Sequence, residues 1–245
     1  MARIVMKFGG TSLEGDDRLR AAAEKIANAN RAGDQVVAAL SARGKETDRL
    51  IAQAKALCSD WDLREMDQLL ATGELQSAAL CAMALRSLGC PVVSLSGPQA
   101  GILTDGNYGN ARIFRIDTAR MLRALGEGKA VLVAGFQGLA PNGDVTTLGR
   151  GGSDTTGVAL ACALQADVCR IYTDVDGVYD KDPRKFPEAK KFDRIDYDAM
   201  LSLVDAGAQV LHRRSVEIAK AAGITVEVCS SLTAAPGTLV TNAKA

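Results

Sequence analysis

Short β-branched runs punctuate the chain at Ile4-Val5, Val36-Val37, Val92-Val93, Val131 to Val133, Val168 to Tyr172 and Thr225 to Val228. Between them apolar positions recur at three- and four-residue steps. Met66, Leu69 and Leu70, followed by Ala78, Ala79, Ala82 and Met83, have the spacing of a helix that buries one face. The same pattern predicts helices near 17–32, 46–58, 117–125, 154–164, 196–205 and 213–222. Gly33, Gly89, Gly126 and Gly223 stand where a helix end favours a left-handed residue. Alternating strand and helix predicts a largely parallel sheet covered on both faces, with ligands at the carboxyl ends of the strands. Three connections, 96–110, 137–153 and 174–193, are long and rich in Gly, Asp and Thr, so function is expected in the loops.

Composition narrows the field. At 245 residues the chain can bury a substantial core as one domain, with a shallow division expected near residue 140. Twenty-nine basic residues balance twenty-nine acidic ones, so no positive field calls for nucleic acid or an anionic membrane as a partner. The apolar run in Met1 to Lys7 is too short for a signal peptide, and no stretch nears the roughly 18 apolar residues of a spanning helix; a cytoplasmic protein is expected. Cys58, Cys81, Cys90, Cys162, Cys169 and Cys229 form no C-x-x-C pair and share one histidine, which favours reduced, mostly buried thiols over a metal site.

Four segments carry candidate chemistry. Lys7-Phe8-Gly9-Gly10-Thr11-Ser12 follows a strand, and its glycines and lysine suit phosphate, although the order is not that of a Walker loop. An ordinary strand-to-helix turn with a surface lysine is equally compatible. Thr146 to Thr156 leads into a helix with Ser153 or Asp154 as a natural N-cap. Capping does not account for Arg150 among glycines, whose planar fork matches a carboxylate or phosphate. Ile171 to Arg184 ends a strand in a loop with four aspartates, two tyrosines, a lysine and an arginine, fit for nucleotide contact or simply for solvent. Within the helical pattern of Ala71-Thr72-Gly73-Glu74, glycine costs about 1 kcal/mol against alanine, which points to close approach of another group. Glu74 there is either an amine ligand or an exposed helix glutamate.

Together these ordered segments resemble the catalytic domain of aspartate kinases, members of the amino acid kinase (carbamate kinase-like) family. The resemblance runs through Val5 to Leu13, Arg64-Glu65-Met66-Asp67 with Thr72-Gly73-Glu74, Thr146 to Thr156, and Thr173 to Arg184. It implies a three-layer α/β/α sandwich around an open, mainly parallel central sheet, with the amino acid held by residues 1–140 and ATP by residues 141–245. It also implies phosphate contacts from Lys7, Gly9, Gly10 and Ser12, and nucleotide contacts from Thr173, Asp174, Tyr179, Arg184 and position 209. Ser41, Thr47, Glu74, Arg150, Gly151 and Ser153 would bind L-aspartate. Lys7 and Asp154 would be the catalytic groups, Asp154 orienting Lys7 or supporting the metal, and Mg²⁺ would be carried mainly by the ATP phosphates. The implied reaction converts L-aspartate and ATP to 4-phospho-L-aspartate and ADP, the first step toward lysine, threonine and methionine.

Two features depart from the family pattern. The segment Gly207 to His212 usually holds a basic residue where this chain has Gln209, with Lys220, Arg213 and Arg214 as candidate substitutes. Family members commonly continue into ACT regulatory domains, whereas the catalytic pattern here ends at Pro236 to Asn242, so ACT-based feedback is not expected in this chain. A homodimer through the catalytic domain is compatible with that. A kinase for another small carboxylate, or a non-catalytic nucleotide-binding protein, is the alternative, the latter favoured by Gln209. His212 is expected to be structural.

Overall fold

The structure is a computed structural model describing residues 1–242 of the 245-residue chain. The first half runs β1 (Arg3–Phe8), α1 (Gly15–Arg31), β2 (Gln35–Leu40), α2 (Glu46–Leu57), α3 (Leu63–Ser87) and β3 (Val92–Leu95). It continues through β4 (Ile102–Thr104), β5 (Ile113–Ile116), α4 (Ala119–Gly126), β6 (Ala130–Ala134), β7 (Gln137–Leu139) and β8 (Val145–Thr147). Then follow α5 (Gly152–Ala163), β9 (Val168–Thr173), β10 (Arg194–Asp196), α6 (Tyr197–Asp205), α7 (Arg213–Ala222), β11 (Val226–Ser230) and β12 (Thr238–Thr241).

Period-two alternation along β1 and β2 separates two cores. Ile4, Met6, Phe8, Val36, Ala38 and Leu40 face one apolar cluster, closed by Leu19 and Ile26 of α1 and Leu85 of α3. Val5, Val37 and Ala39 face the other, closed by Val158 and Leu160 of α5, Val216 of α7 and Met121 of α4. Lys7 falls on this second face, at the end of the strand and under α5.

The main sheet has the order β10-β12-β11-β9-β1-β2-β6-β3, and every neighbouring pair is parallel except β11 with β12. From β1 the chain builds outward through β2 on one side and returns through β9 on the other. The carboxyl ends of β1, β2 and β9 therefore share the crevice where an open α/β sheet takes its ligand.

The structure departs from the expected elements in three places. The long connections 96–110 and 137–153 contain β4, β7 and β8, which pair with β5 in a second, four-stranded sheet ordered β5-β4-β7-β8. Strands of three residues are too short to show periodicity. Gly126 lies inside α4, and Gly128, at φ 75°, takes the left-handed turn instead. The N-cap of α5 is Gly151, at φ 69°, so Ser153 and Asp154 sit within the first turn rather than capping it.

Gly157 of α5 explains how helix and strand come so close: a Cβ there would stand 3.0 Å from Lys7 Cβ. Valine at 157 is expected to force α5 off β1 and destabilise the protein by about 1–3 kcal/mol, read as a lower midpoint in thermal or urea unfolding.

Candidate active site

The turn after β1 is built from backbone bonds. Gly9 N–H and Ser12 Oγ both donate to the Tyr172 carbonyl, at 3.3 Å each, which ties the turn to the end of β9. Gly10 N–H has no partner among the described residues. A side chain on Gly10 would meet the Ala42 carbonyl at 2.8 Å, and Gly44 N–H donates to the Gly10 carbonyl at 2.9 Å, so the turn nests against residues 42–44 after β2.

Lys7 is 9% exposed, and its Nζ lies 2.5 Å from Asp154 Oδ1. The contact is charge against charge rather than an aligned hydrogen bond, since that oxygen has no donor in hydrogen-bond geometry. A Cβ at Gly9 would lie 3.4 Å from Lys7 Nζ, so the glycine leaves the ammonium uncovered on that side.

Glu74 is not an exposed helix glutamate: it is 3% exposed. Its Oε1 accepts from Ala42 N–H at 3.0 Å, whereas Oε2 is buried with no partner. Burial pushes its carboxyl up to about 7, against the opposing pull of the Ala42 N–H. The neighbouring glycine has the close-approach role inferred for it, because a Cβ at Gly73 would stand 2.9 Å from Ala42 Cβ. Thr47, in the first turn of α2, is half-buried, and α2 rests on α3 through Leu50, Met66 and Leu70. Ser41 is half-buried and its N–H donates to the Phe8 carbonyl at 3.1 Å.

Arg150 is exposed and makes no ion pair or hydrogen bond among the described residues. Gly151 beside it is glycine for two reasons: its φ is positive, and a Cβ would fall 2.1 Å from the His212 ring packed beneath. Ser153 lies against Gly135, where a Cβ would meet its Oγ at 3.2 Å, so the α5 N-terminus abuts the end of β6. Lys7, Gly10, Ser41, Glu74, Ser153 and Asp154 are thus linked around the ends of β1, β2 and β6.

A second group lines a cleft of about 690 Å³ beyond the end of β9: Thr173, Asp174, Tyr179, Arg184 and Gln209 all face it, with Val175, Val178, Leu203 and Val210. Tyr179 donates to Asp176 Oδ1 at 2.8 Å, and Arg184 pairs with Asp182 at 3.0 Å. The candidate substitutes for a cation at 209 are occupied elsewhere. Arg213 pairs with Asp205 and Glu217, Lys220 with Asp198, and Arg214 donates to the Ala111 and Leu148 carbonyls. Among the described residues no three His, Cys, Asp or Glu side chains gather as a metal site. No helix among them is long and apolar enough to cross a membrane.

The family model described as "Amino acid kinase family" matches residues 2–230. The chain belongs to the amino acid kinase family. Within that family it is 51% identical over 240 residues to an aspartokinase of Geobacillus stearothermophilus, covering 98% of this chain and 59% of that protein. An aspartate kinase structure from Synechocystis superposes with a TM-score of 0.88 at 44% identity, covering all of this chain and 40% of that one. E. coli aspartokinase III, solved with aspartate and ADP in its R-state, gives 0.85 at 28% identity, covering 99% and 65%. This kinase-family chain therefore spans only part of the length of these relatives.

Motif reading did not single out Gln137. It is 1% exposed, donates through Nε2 to the Ala71 carbonyl at 2.9 Å, and leaves Oε1 buried without a partner. No local signal marks it, because a polar residue in a short strand reads as solvent-facing.

The raised Glu74 carboxyl makes stability pH-dependent. Between about 4.5 and about 7 the unfolded chain releases this proton while the folded chain keeps it, so stability falls as pH rises through that window. Replacing Glu74 with Gln is expected to remove this slope, a relative gain on the order of 3 kcal/mol for the variant by pH 8, measured by urea unfolding across pH.

Proposed function

We propose that this domain transfers the γ-phosphoryl group of ATP to the side-chain carboxylate of L-aspartate, giving 4-phospho-L-aspartate and ADP. The observation that carries the proposal is the unpartnered, buried Glu74 Oε2. An oxygen in that state calls for a cationic donor, and an α-ammonium supplies one. Arg150, unpaired on its glycine loop, suits the α-carboxylate with a two-pronged bond. The aspartate and ADP held by the E. coli relative support the same pairing of ligands.

In the proposed complex Glu74 holds the ammonium and Arg150 the α-carboxylate, with Ser41, Thr47, Gly151 and Ser153 around the amino acid. The nucleotide lies in the cleft of Thr173, Asp174, Tyr179, Arg184 and Gln209, its phosphates directed toward Lys7, Gly9, Gly10 and Ser12. The attacking carboxylate is already anionic and needs no general base, so catalysis consists of alignment and relief of charge on the transferring group. Lys7, held at the strand end by Asp154, and the free Gly10 N–H supply that relief. Mg²⁺ carried on the ATP phosphates adds to it. Among the described residues no side chains form a cage of their own, so they fit a metal whose ligands come mainly from phosphate and water.

Hydroxylamine trapping of the acyl phosphate over a panel of amino acids tests the proposal. Hydroxamate is expected with L-aspartate, and Lys7→Ala is expected to lower kcat by about 10² or more. Success only with another acid reassigns the acceptor, and nucleotide binding without turnover on any acid refutes the kinase. Since Arg213, Arg214 and Lys220 are all engaged elsewhere, Gln209→Lys is expected to raise kcat/KM for ATP by about fivefold.

A further inference from the structure

Asp67 is 1% exposed, yet it has no cationic partner among the described residues. Its carboxylate is filled by three donors from two other parts of the chain. Oδ2 accepts from Thr147 N–H at 2.8 Å and Gly109 N–H at 2.9 Å, and Oδ1 accepts from Thr147 Oγ1 at 2.6 Å. Thr147 is the last residue of β8, three positions before Arg150. Arg214 donates to the next carbonyl, Leu148, at 3.2 Å. The Arg150 loop thus leaves a strand whose end is bolted to α3.

Asp67 and Glu74 are seven residues apart on α3, two turns, so they project from the same side with about 10 Å of helix axis between them. One helix therefore presents the Glu74 carboxylate at one station and fixes the start of the Arg150 loop at the other. We propose that Asp67 is a positioning residue for the acceptor amino acid: by holding Thr147 and Gly109 it sets the distance between the Arg150 loop and Glu74. This rests on the assignment of those two groups to the α-carboxylate and α-ammonium.

Helix-borne spacing makes the site selective for acids whose ammonium and α-carboxylate stand on one carbon. Displacing the loop by a fraction of an ångström misaligns the amino acid while leaving the nucleotide cleft, formed by residues 173–185 and 203–210, untouched.

The test is steady-state kinetics of the full chain with aspartate and ATP varied separately. Asp67→Ala is expected to raise the KM for L-aspartate about tenfold or more while the KM for ATP stays within about twofold. Asp67→Asn keeps an oxygen for the two N–H donors and turns its amide toward Thr147 Oγ1, so it is expected to stay within about threefold of the parent. Because Asp67 acts through the loop, Asp67→Ala is expected to add little in an Arg150→Ala background. Equal changes in both KM values, or full additivity with Arg150→Ala, overturn the proposal. If Arg150→Ala itself leaves the KM of every acid unchanged, the carboxylate assignment beneath it fails instead. Should Asp67→Ala not fold, Thr147→Val removes the Oγ1 bond alone. It must then raise the aspartate KM several-fold with the ATP KM unchanged, or the proposal falls.

Discussion

The molecule turns on one contact, the seating of α5 directly on the carboxyl end of β1. A glycine at 157 permits it, and the helix then brings Asp154 to 2.5 Å from the Lys7 ammonium. A lysine left 9% exposed at a strand end needs that partner, because burial without one would cost several kcal/mol. The same seating carries Ser153 against Gly135 and sets Gly151 over His212, so the loop bearing Arg150 inherits its position from the β1–α5 contact. On the opposite face, α3 approaches the turn after β2 through Gly73, and Glu74 is buried in consequence.

Much of this was legible in the chain. Long periodic helices and β-branched strands were placed within a few residues, because burial of one face leaves a repeat in the sequence. The spacing predicts a helix at 213–222, where α7 stands. The second sheet was not legible: its strands have only three or four residues and depend on pairings such as Leu103 with Leu139, far apart in sequence. The N-cap of α5 was misplaced because Ser153 and Asp154 are good capping residues, while the cap that forms depends on the space His212 leaves at Gly151.

For the candidate site the motifs led to the right regions but not to the state of each group. Glycine inside a helix correctly signalled close approach at Gly73, yet only the fold shows Glu74 buried with a free oxygen. Asp67 and Gln137 are polar residues that pattern reading sends to solvent, whereas tertiary donors and acceptors draw both inside. Position 209 was recognised as lacking a charge. That Arg213, Arg214 and Lys220 do not replace it could be learned only from their partners.

The strand order also has a consequence for how the chain is made. β1 takes β2 as its first partner within 40 residues, but its other edge waits for β9, with Ile4 paired to Val168. During synthesis most of the protein emerges before that edge is covered, leaving the apolar backbone of Arg3–Phe8 open to pairing with a stranger. The central strand is thus completed only once β9 has emerged. A chain cut short before residue 168 would leave that edge of β1 without its partner.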